Sequence, residues 1–378
     1  MRYIHQRSGW PRFTWDSDAL TDTLVAVRHK QGRLLGRMEA LGFDLRTEAS
    51  LTVLTSDVVQ SSAIEGENLP PDEVRSSIAS RLGLDVAGLP SAGRDVEGVV
   101  EMMLDATQRF GAELSAERLF GWHASLFPTA RSGMRKITVG AWRTEASDPM
   151  QVVSGPIGRE RVHFQAPDAD RLDQEMTAFL DWFNADPATD PVLHAGIAHF
   201  WFVTIHPFED GNGRIARAIA DMALARADGT KDRFYSMSSQ IGEERRDYYL
   251  ELELAQRGDL DITGWLSWFL GCLERAIDGA EDTLSVVLFK ADLWKQLRDK
   301  PVNDRQRRVL NRMLNGFEGF LSTSKYAKLA KCSSDTALRD IKELLGWGVI
   351  VQNPGGGRST SYRLAGTETR PVKGEPRE

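Results

Sequence analysis

The stretch from His206 to Arg217, His-Pro-Phe-Glu-Asp-Gly-Asn-Gly-Arg-Ile-Ala-Arg, brings an imidazole, two carboxylates, two glycines and two guanidiniums into one short run. Gly211 and Gly213 flank Asn212 and can take backbone angles closed to other residues, so consecutive N–H groups can turn inward as an anion-binding nest. Beyond them Ile215, Ala218, Ile219, Met222 and Ala223 recur at helical spacing. The glycine loop is therefore predicted to sit at a helix N-terminus, where free N–H groups and the helix dipole favour a phosphate. Arg214 and Arg217 stand one turn apart on that helix and can address successive phosphates of one polyphosphate. Asp210 offers a hard oxygen beside them, and Mg²⁺ usually binds through one or two carboxylates together with the substrate's own phosphates. His206, with an ordinary pKa of about 6.5, can accept a proton from an attacking hydroxyl near neutral pH.

These groups need rigid supports. Pro191 to Ile205 is apolar on nearly every side, the pattern of a central buried helix, and it delivers His206. His194 and His199 on it lie five apart rather than four, which argues against a shared metal face, and His123 reads as a core or capping residue. Helical periodicity predicts further helices over Ser17 to Leu41, Thr47 to about Gly66, Asp72 to Leu84, Val96 to Phe110, Ala116 to Phe127, Ala169 to Asn184, Ser238 to Gln256 and Asp261 to about Lys290. Ile137-Thr138-Val139 and Val162-His163-Phe164 alternate like short strands on either side of the Gly/Pro-rich Ser154-Gly155-Pro156, predicting a hairpin. The aromatic opening, Tyr3 to Asp16, is expected to pack on the body. Tyr249 and Gln256 are seven apart, hence on one helical face, where a ring and an amide could address an adenine. Glu65, just before the stop signal Gly66, reads from its neighbours alone as a solvated carboxylate.

The run from His206 to Arg217 resembles in full the signature of Fic-domain proteins, most of which transfer AMP from ATP to a protein hydroxyl. The resemblance implies that His206 is the base, that Asp210 holds Mg²⁺, and that Gly211, Asn212 and Gly213 form the anion hole for the α and β phosphates. It assigns Arg214 and Arg217 to the outer phosphates. The Doc branch, which phosphorylates, typically carries Lys where this chain has Gly213, so nucleotidyl transfer is favoured. Ser61-Ser62-Ala63-Ile64-Glu65-Gly66 is similar to the family's inhibitory motif, which implies that Glu65, with Ser61, pairs with Arg217 and keeps it from the γ-phosphate. Tyr248, Tyr249 and Gln256 resemble the family's adenine-pocket helix. The hairpin resembles the flap that presents an edge to an extended target segment, and Gly140-Ala141-Trp142-Arg143 resembles its start. A Trp-Pro-x-Phe-x-Trp leader like the one at Trp10 occurs in a subgroup of long Fic proteins.

The C-terminal piece follows a different logic. Helices at Gln306 to Leu314, Ser324 to Ala330 and Ser334 to Leu345, then strands around Val349-Ile350-Val351 and Ser361-Tyr362-Arg363-Leu364, resemble a winged helix-turn-helix. Thr336, Arg339 and Lys342 are expected on the exposed face of its third helix, with Arg358 on the wing, a layout suited to DNA; a protein-docking module is the rival. From Asp304 to Ala365 there are 11 Lys and Arg against 5 Asp and Glu, although the 378-residue chain carries a net charge of −7. Two cysteines, Cys272 and Cys332, stand apart without metal-spaced partners. No apolar run reaches the roughly 18 to 20 residues of a membrane span, and no leader pattern opens the chain, so a cytoplasmic protein without membrane contact is expected.

The resulting expectation is a mostly α chain. An N-terminal helical region (1–95, with the inhibitory helix at 47–66) precedes a Fic core with a short β-hairpin flap and closing helix (96–290). A winged-helix domain (300–365) and a disordered tail (366–378) follow. Its reaction would be AMP transfer from Mg·ATP to a Ser, Thr or Tyr hydroxyl of a protein, self-modification included. Removal of AMP with Glu65 positioning a water, and a nucleotide-sensing DNA-binding regulator, are the alternatives. The sequence sets no oligomeric state, and a homodimer is among those it allows.

Overall fold

The computed structural model describes residues 2–84, 89–144, 149–155, 159, 161–314, 317, 319–354 and 360–366. The chain divides into two compact units, Met1–Leu284 and Ser285–Glu378. In the first, helices α1 (Ser17–Glu39), α2 (Phe43–Ile64), α3 (Pro71–Arg81), α4 (Arg94–Gln108) and α5 (Ala116–Leu126) precede two small antiparallel pairs. These are β1 (Arg131–Ser132) with β2 (Arg135–Lys136), and β3 (Gln151–Ser154) with β4 (Arg161–Gln165). There follow α6 (Leu172–Asn184), α7 (Pro191–Ile205), α8 (Asn212–Asp228), α9 (Met237–Glu243), α10 (Arg245–Arg257) and α11 (Thr263–Gln296), whose last turns belong to the second unit.

α7 is the axis of the core. Asp190 caps it by accepting from the Val192 N–H at 2.8 Å, Pro191 fits the first turn, and every residue from Val192 to Ile205 is buried. α8 packs along it with Ile215, Ala216, Ala218 and Ile219 fully covered. Such burial on two faces fixes the loop between the helices. α2 lies against α3, α4, α8 and α9, which carries its C-terminal end to the start of α8. The aromatic leader packs on this body as expected: Trp10 Nε1 donates to Glu175 Oε2 at 2.7 Å, and Phe13 meets Phe200 and Trp201 edge to face.

The hairpin differs from its sequence reading. β4 covers Val162 to Phe164, but its partner is Gln151–Ser154, whereas 137–139 lie outside any strand. Thr138 instead gives its N–H to Glu209 Oε1 at 3.2 Å, and Ile137 is buried. A β-branched run signals a half-buried surface rather than a ladder, and here a side chain took the backbone donor. Ser238 to Gln256 is likewise two helices, broken at Glu244, whose carboxylate is engaged by Arg275. The closing helix extends to Gln296, beyond Lys290.

The second unit contains α12 (Asp304–Leu314), α13 (Thr323–Ala330) and α14 (Ser334–Gly346), then β5 (Ile350–Gln352) paired antiparallel with β6 (Tyr362–Leu364). Ser322 and Ser333 cap α13 and α14. Val309, Leu310, Tyr326, Ile341, Leu344 and Ile350 form its core. Arg339 and Lys342 are exposed, Thr336 is half-buried, and Arg358 and the tail from Thr367 lie outside the described residues.

Candidate active site

α7 ends on His206 in the left-handed conformation (φ 53°, ψ 57°), a strained cap for a residue with a side chain. Arg143, buried, holds that turn: its Nε donates to the His206 carbonyl at 2.9 Å, its backbone N–H to the Pro207 carbonyl at 2.9 Å, and its Nη2 to the Pro167 carbonyl at 2.5 Å. The His206 Nδ1 lies 3.3 Å from the Val203 carbonyl, which can only accept, so Nδ1 carries the proton and the Nε2 lone pair is left for a reacting hydroxyl. Burial pushes its pKa down to about 4, with Arg143 adding to the shift and the Val203 contact opposing it. The imidazole is thus neutral at physiological pH, as a base must be.

The loop after His206 is shaped by Asn212. Its Oδ1 accepts the Phe208 N–H at 3.0 Å and its Nδ2 donates to the Phe208 carbonyl at 2.8 Å. The buried side-chain amide of Asn212 thus closes the loop, because a five-residue turn with buried polar backbone needs both partners, and the expected anion hole would be made by the backbone N–H groups that this closure holds in place. Gly211 takes φ +82°, where a Cβ would press on Phe127 at 2.9 Å. At Gly213 a Cβ would come within 2.1 Å of Glu65 Oε1, so a side chain there and the present position of Glu65 exclude each other.

Asp210 points back across the turn. Its Oδ1 accepts the Gly211 N–H at 2.5 Å and its Oδ2 accepts from the Ser132 hydroxyl. His123 stacks on Phe208 at 4.2 Å and lies 3.2 Å from the Asp210 carbonyl, a packing and positioning role consistent with its core reading. Among the described residues no three His, Cys, Asp or Glu side chains surround one point. A divalent cation here would fit as an ion held by Asp210 and by the nucleotide's own phosphates, the usual arrangement for Mg²⁺.

Arg214 and Arg217 are both buried at the first turns of α8, and each is already bound to the end of α2. Arg217 Nη2 donates to Glu65 Oε1 and to the Ser61 carbonyl, both at 2.8 Å, while Nε donates to Ser61 Oγ at 2.9 Å. Arg214 Nη1 donates to Glu67 Oε2 at 2.5 Å and its guanidinium lies over the Phe127 ring. Each retains one buried nitrogen without a hydrogen-bond partner, Nε of Arg214 and Nη1 of Arg217. An unsatisfied buried donor on a cation costs free energy, and an anion's oxygens would remove that cost.

The sequence motif therefore comes together in space: His206, Asp210, Gly211, Gly213, Arg214 and Arg217 surround one helix N-terminus, with Glu65 and Ser61 pressed into it. Of the proposed adenine residues, Tyr248 and Tyr249 lie within electrostatic reach of the Arg217–Glu65 pair, and Gln256 lies further along α10. Tyr248 is buried among Trp265 and Trp268 with its hydroxyl 3.0 Å from His199 Nε2, and Gln256 is buried with its amide on Thr204 Oγ1 at 3.3 Å. Both are buried, since helix α10 turns that face to α7 and α11. Tyr249 alone of the three is exposed, and its hydroxyl donates to the Ile64 carbonyl at 3.4 Å. Glu67, Ser132 and Arg143 complete the site. Only the acidic residues on either side of Gly66, at 65 and 67, carried a hint of the first in sequence; nothing local marks Ser132.

Residues 113–224 match the model of the Fic/DOC family, and residues 3–84 match a domain of unknown function, DUF4172. The chain is 37% identical over 135 residues to a protein adenylyltransferase Fic of Nematostella vectensis, covering 35% of this chain and 30% of the relative. It is 26% identical over 256 residues to a protein adenylyltransferase Fic of Culex quinquefasciatus, covering 66% and 46%. The chain thus spans less than half the length of these relatives. A crystal structure of a Fic family protein from Desulfovibrio desulfuricans G20 superposes with a TM-score of 0.54 at 23% identity, over 95% of this chain and 99% of that one. One of a Fic domain containing signaling protein from Bacteroides thetaiotaomicron gives 0.50 at 18% identity, over 69% and 97%. The mostly helical architecture is that of these Fic structures.

Proposed function

We propose, from the match of residues 113–224 to the Fic/DOC family and the geometry of the site, that the chain transfers AMP from ATP to a Ser, Thr or Tyr hydroxyl of a protein and is restrained by its own α2. The observation that carries the reading is a neutral, half-buried His206 with a free Nε2 beside two buried arginines that each keep an unsatisfied nitrogen. The α8 N-terminus, the glycine loop and Arg214 would hold the phosphates, and Arg217 the terminal one. His206 Nε2 would take the proton of the acceptor hydroxyl as that oxygen attacks the α-phosphorus. Asp210 would hold Mg²⁺, which when bound offsets charge on the phosphates. Tyr249, as the exposed ring, is the candidate for stacking on the base.

Restraint follows from the same contacts. While Glu65 and Ser61 occupy Arg217 and Glu67 occupies Arg214, the nucleotide's phosphates must displace two carboxylates that repel them. Incubating the purified chain with α-³²P-ATP and Mg²⁺ tests the activity: label should appear on protein and be lost in His206→Ala, which keeps Arg214, Arg217 and the backbone cradle. Label transfer at an undiminished rate in His206→Ala would refute the role of the imidazole. For the second unit, the order of three helices and an antiparallel pair, with exposed Arg339 and Lys342 on α14, supports a winged helix that binds DNA phosphates.

A further inference from the structure

The two carboxylates that follow Phe208 are sorted by one short turn, β1–β2. Its strands pair Arg131 with Lys136 and Ser132 with Arg135. Ala130 and Gly133 take φ of 53° and 55°, the Ile137 N–H donates to the Ala130 carbonyl at 3.1 Å, and Ile137 is buried. Arg131 Nη1 closes the tip by donating to the Met134 carbonyl at 3.0 Å. The turn is therefore a fixed element, and it grips both acidic residues of the loop after His206. Glu209 accepts from the Thr138 N–H through Oε1 at 3.2 Å and from Arg135 Nη2 through Oε2 at 3.3 Å, so both its oxygens are committed. Asp210 is held differently: Oδ2 meets the neutral hydroxyl of Ser132, and Oδ1 meets the Gly211 N–H at the start of α8.

The Ser132 hydroxyl spends its one proton on Asp210 and has two lone pairs left. Among the described residues no group donates to them. Ser132 and Asp210 are both only half-buried, so solvent and ions reach the pair. A hydroxyl oxygen touching a carboxylate oxygen, beside a helix N-terminus that suits phosphate, has the donor chemistry of a hard-cation site. Mg²⁺ takes oxygen ligands, keeps several waters, and draws on one or two side chains together with the substrate's phosphates. A Ser or Thr hydroxyl serves as such a ligand in the P-loop.

We propose that Ser132 Oγ is a second protein ligand, with Asp210, for the cation that accompanies the nucleotide. The inference rests on the AMP-transfer reading above and adds to its site a residue 78 positions before Asp210. The hydroxyl proton stays on the Asp210 side while a lone pair faces the ion, so the bond that exists now is kept. The hold of Thr138 and Arg135 on Glu209 leaves that carboxylate out of the set.

The test measures nucleotide binding in the full chain carrying His206→Ala, which keeps the phosphate cradle and removes turnover. Calorimetry with ATP in EDTA and with Mn·ATP gives the gain in affinity that the metal supplies. That gain should fall about tenfold or more in Ser132→Ala and be retained in Ser132→Thr, with metal-free ATP affinity unchanged in both. Ser132→Cys exchanges the hard oxygen for a thiolate that prefers soft metals, so it should bind Cd·ATP more tightly than Mn·ATP. It should also show a thiolate-to-cadmium ultraviolet band absent from the parent, which has the same Cys272 and Cys332. A metal gain in Ser132→Ala equal to the parent's overturns the inference and leaves the AMP-transfer reading standing. A loss in Ser132→Ala without a cadmium band in Ser132→Cys makes the serine an orienter of Asp210 and also overturns it, as does an equal fall in metal-free binding. A parent chain that binds no ATP overturns both.

Discussion

Replacing Glu65 by glycine removes the carboxylate that Arg217 now holds, and the structure sets the size of the effect. The Arg217 side chain is 1% exposed and that of Glu65 31%, so the pair is desolvated on one side and wet on the other. A hydrogen bond to a charged group contributes about 1.5–3 kcal/mol, and the solvent around Glu65 places this one near the lower end, about 1.5–2 kcal/mol. A γ-phosphate no longer required to break that bond gains the same amount, roughly ten- to thirtyfold in productive ATP binding at about 1.4 kcal/mol per tenfold. Arg217 keeps its two bonds to Ser61, so it stays poised rather than collapsing. ATP affinity by calorimetry and AMP transfer by label should therefore both rise about tenfold or more in Glu65→Gly. Glu65→Gln, which retains an amide oxygen for the guanidinium, should fall between. His206→Ala added to Glu65→Gly should abolish the gain in transfer while leaving the gain in binding. If Glu65→Gly binds and transfers no better than wild type while its fold is intact, the competition between carboxylate and phosphate is refuted.

Glu67→Ala should free Arg214 in the same way but raise transfer only about two- to fivefold, because the Glu67 side chain is 48% exposed and its ion pair is screened. Burial depresses His206, His194 and His199, the first two to about 4 and the third to about 3, below their unfolded value of about 6.5. The unfolded chain then binds more protons between those values, so the urea midpoint should fall as pH drops from about 6.5 toward 4, whereas single-turnover transfer in the still-folded protein should show no limb near 6.5. Arg233, buried, donates to Asp228 at 2.8 Å and Asp221 at 3.3 Å, so Arg233→Met should cost about 3–5 kcal/mol in chemical denaturation. Asp221→Asn should cost far less, since burial and then the adjacent Asp57 already push that carboxyl well up. If the second unit binds duplex DNA, affinity should fall with salt at about −0.9 per phosphate in log–log slope, and Arg339→Ala with Lys342→Ala should flatten it by about 1–2; no binding at low salt would favour protein docking.

The sequence by itself determined which reactive residues gather at the start of α8, and most of the helices. Uninterrupted apolar periodicity defines α7, and glycines, a caps-and-stripe pattern and paired arginines define α8, because those signals are local and each has its own physical cause. The pairing of Glu65 with Arg217, read from a resemblance, is present as an ion pair in the structure. Tertiary structure alone decided the rest. Whether Tyr248, Tyr249 or Gln256 faces solvent depends on which side of α10 meets α7, a contact between elements distant in sequence. The strand that pairs with β4 was fixed by a ladder, and Thr138 was withdrawn from it by Glu209, a residue 71 positions away. That the Asn212 side chain closes its own loop on Phe208 was likewise set by the packing of two buried helices. Glu67 on Arg214, 147 positions away, is a juxtaposition that no local spacing encodes, since the two side chains meet only after the core has packed.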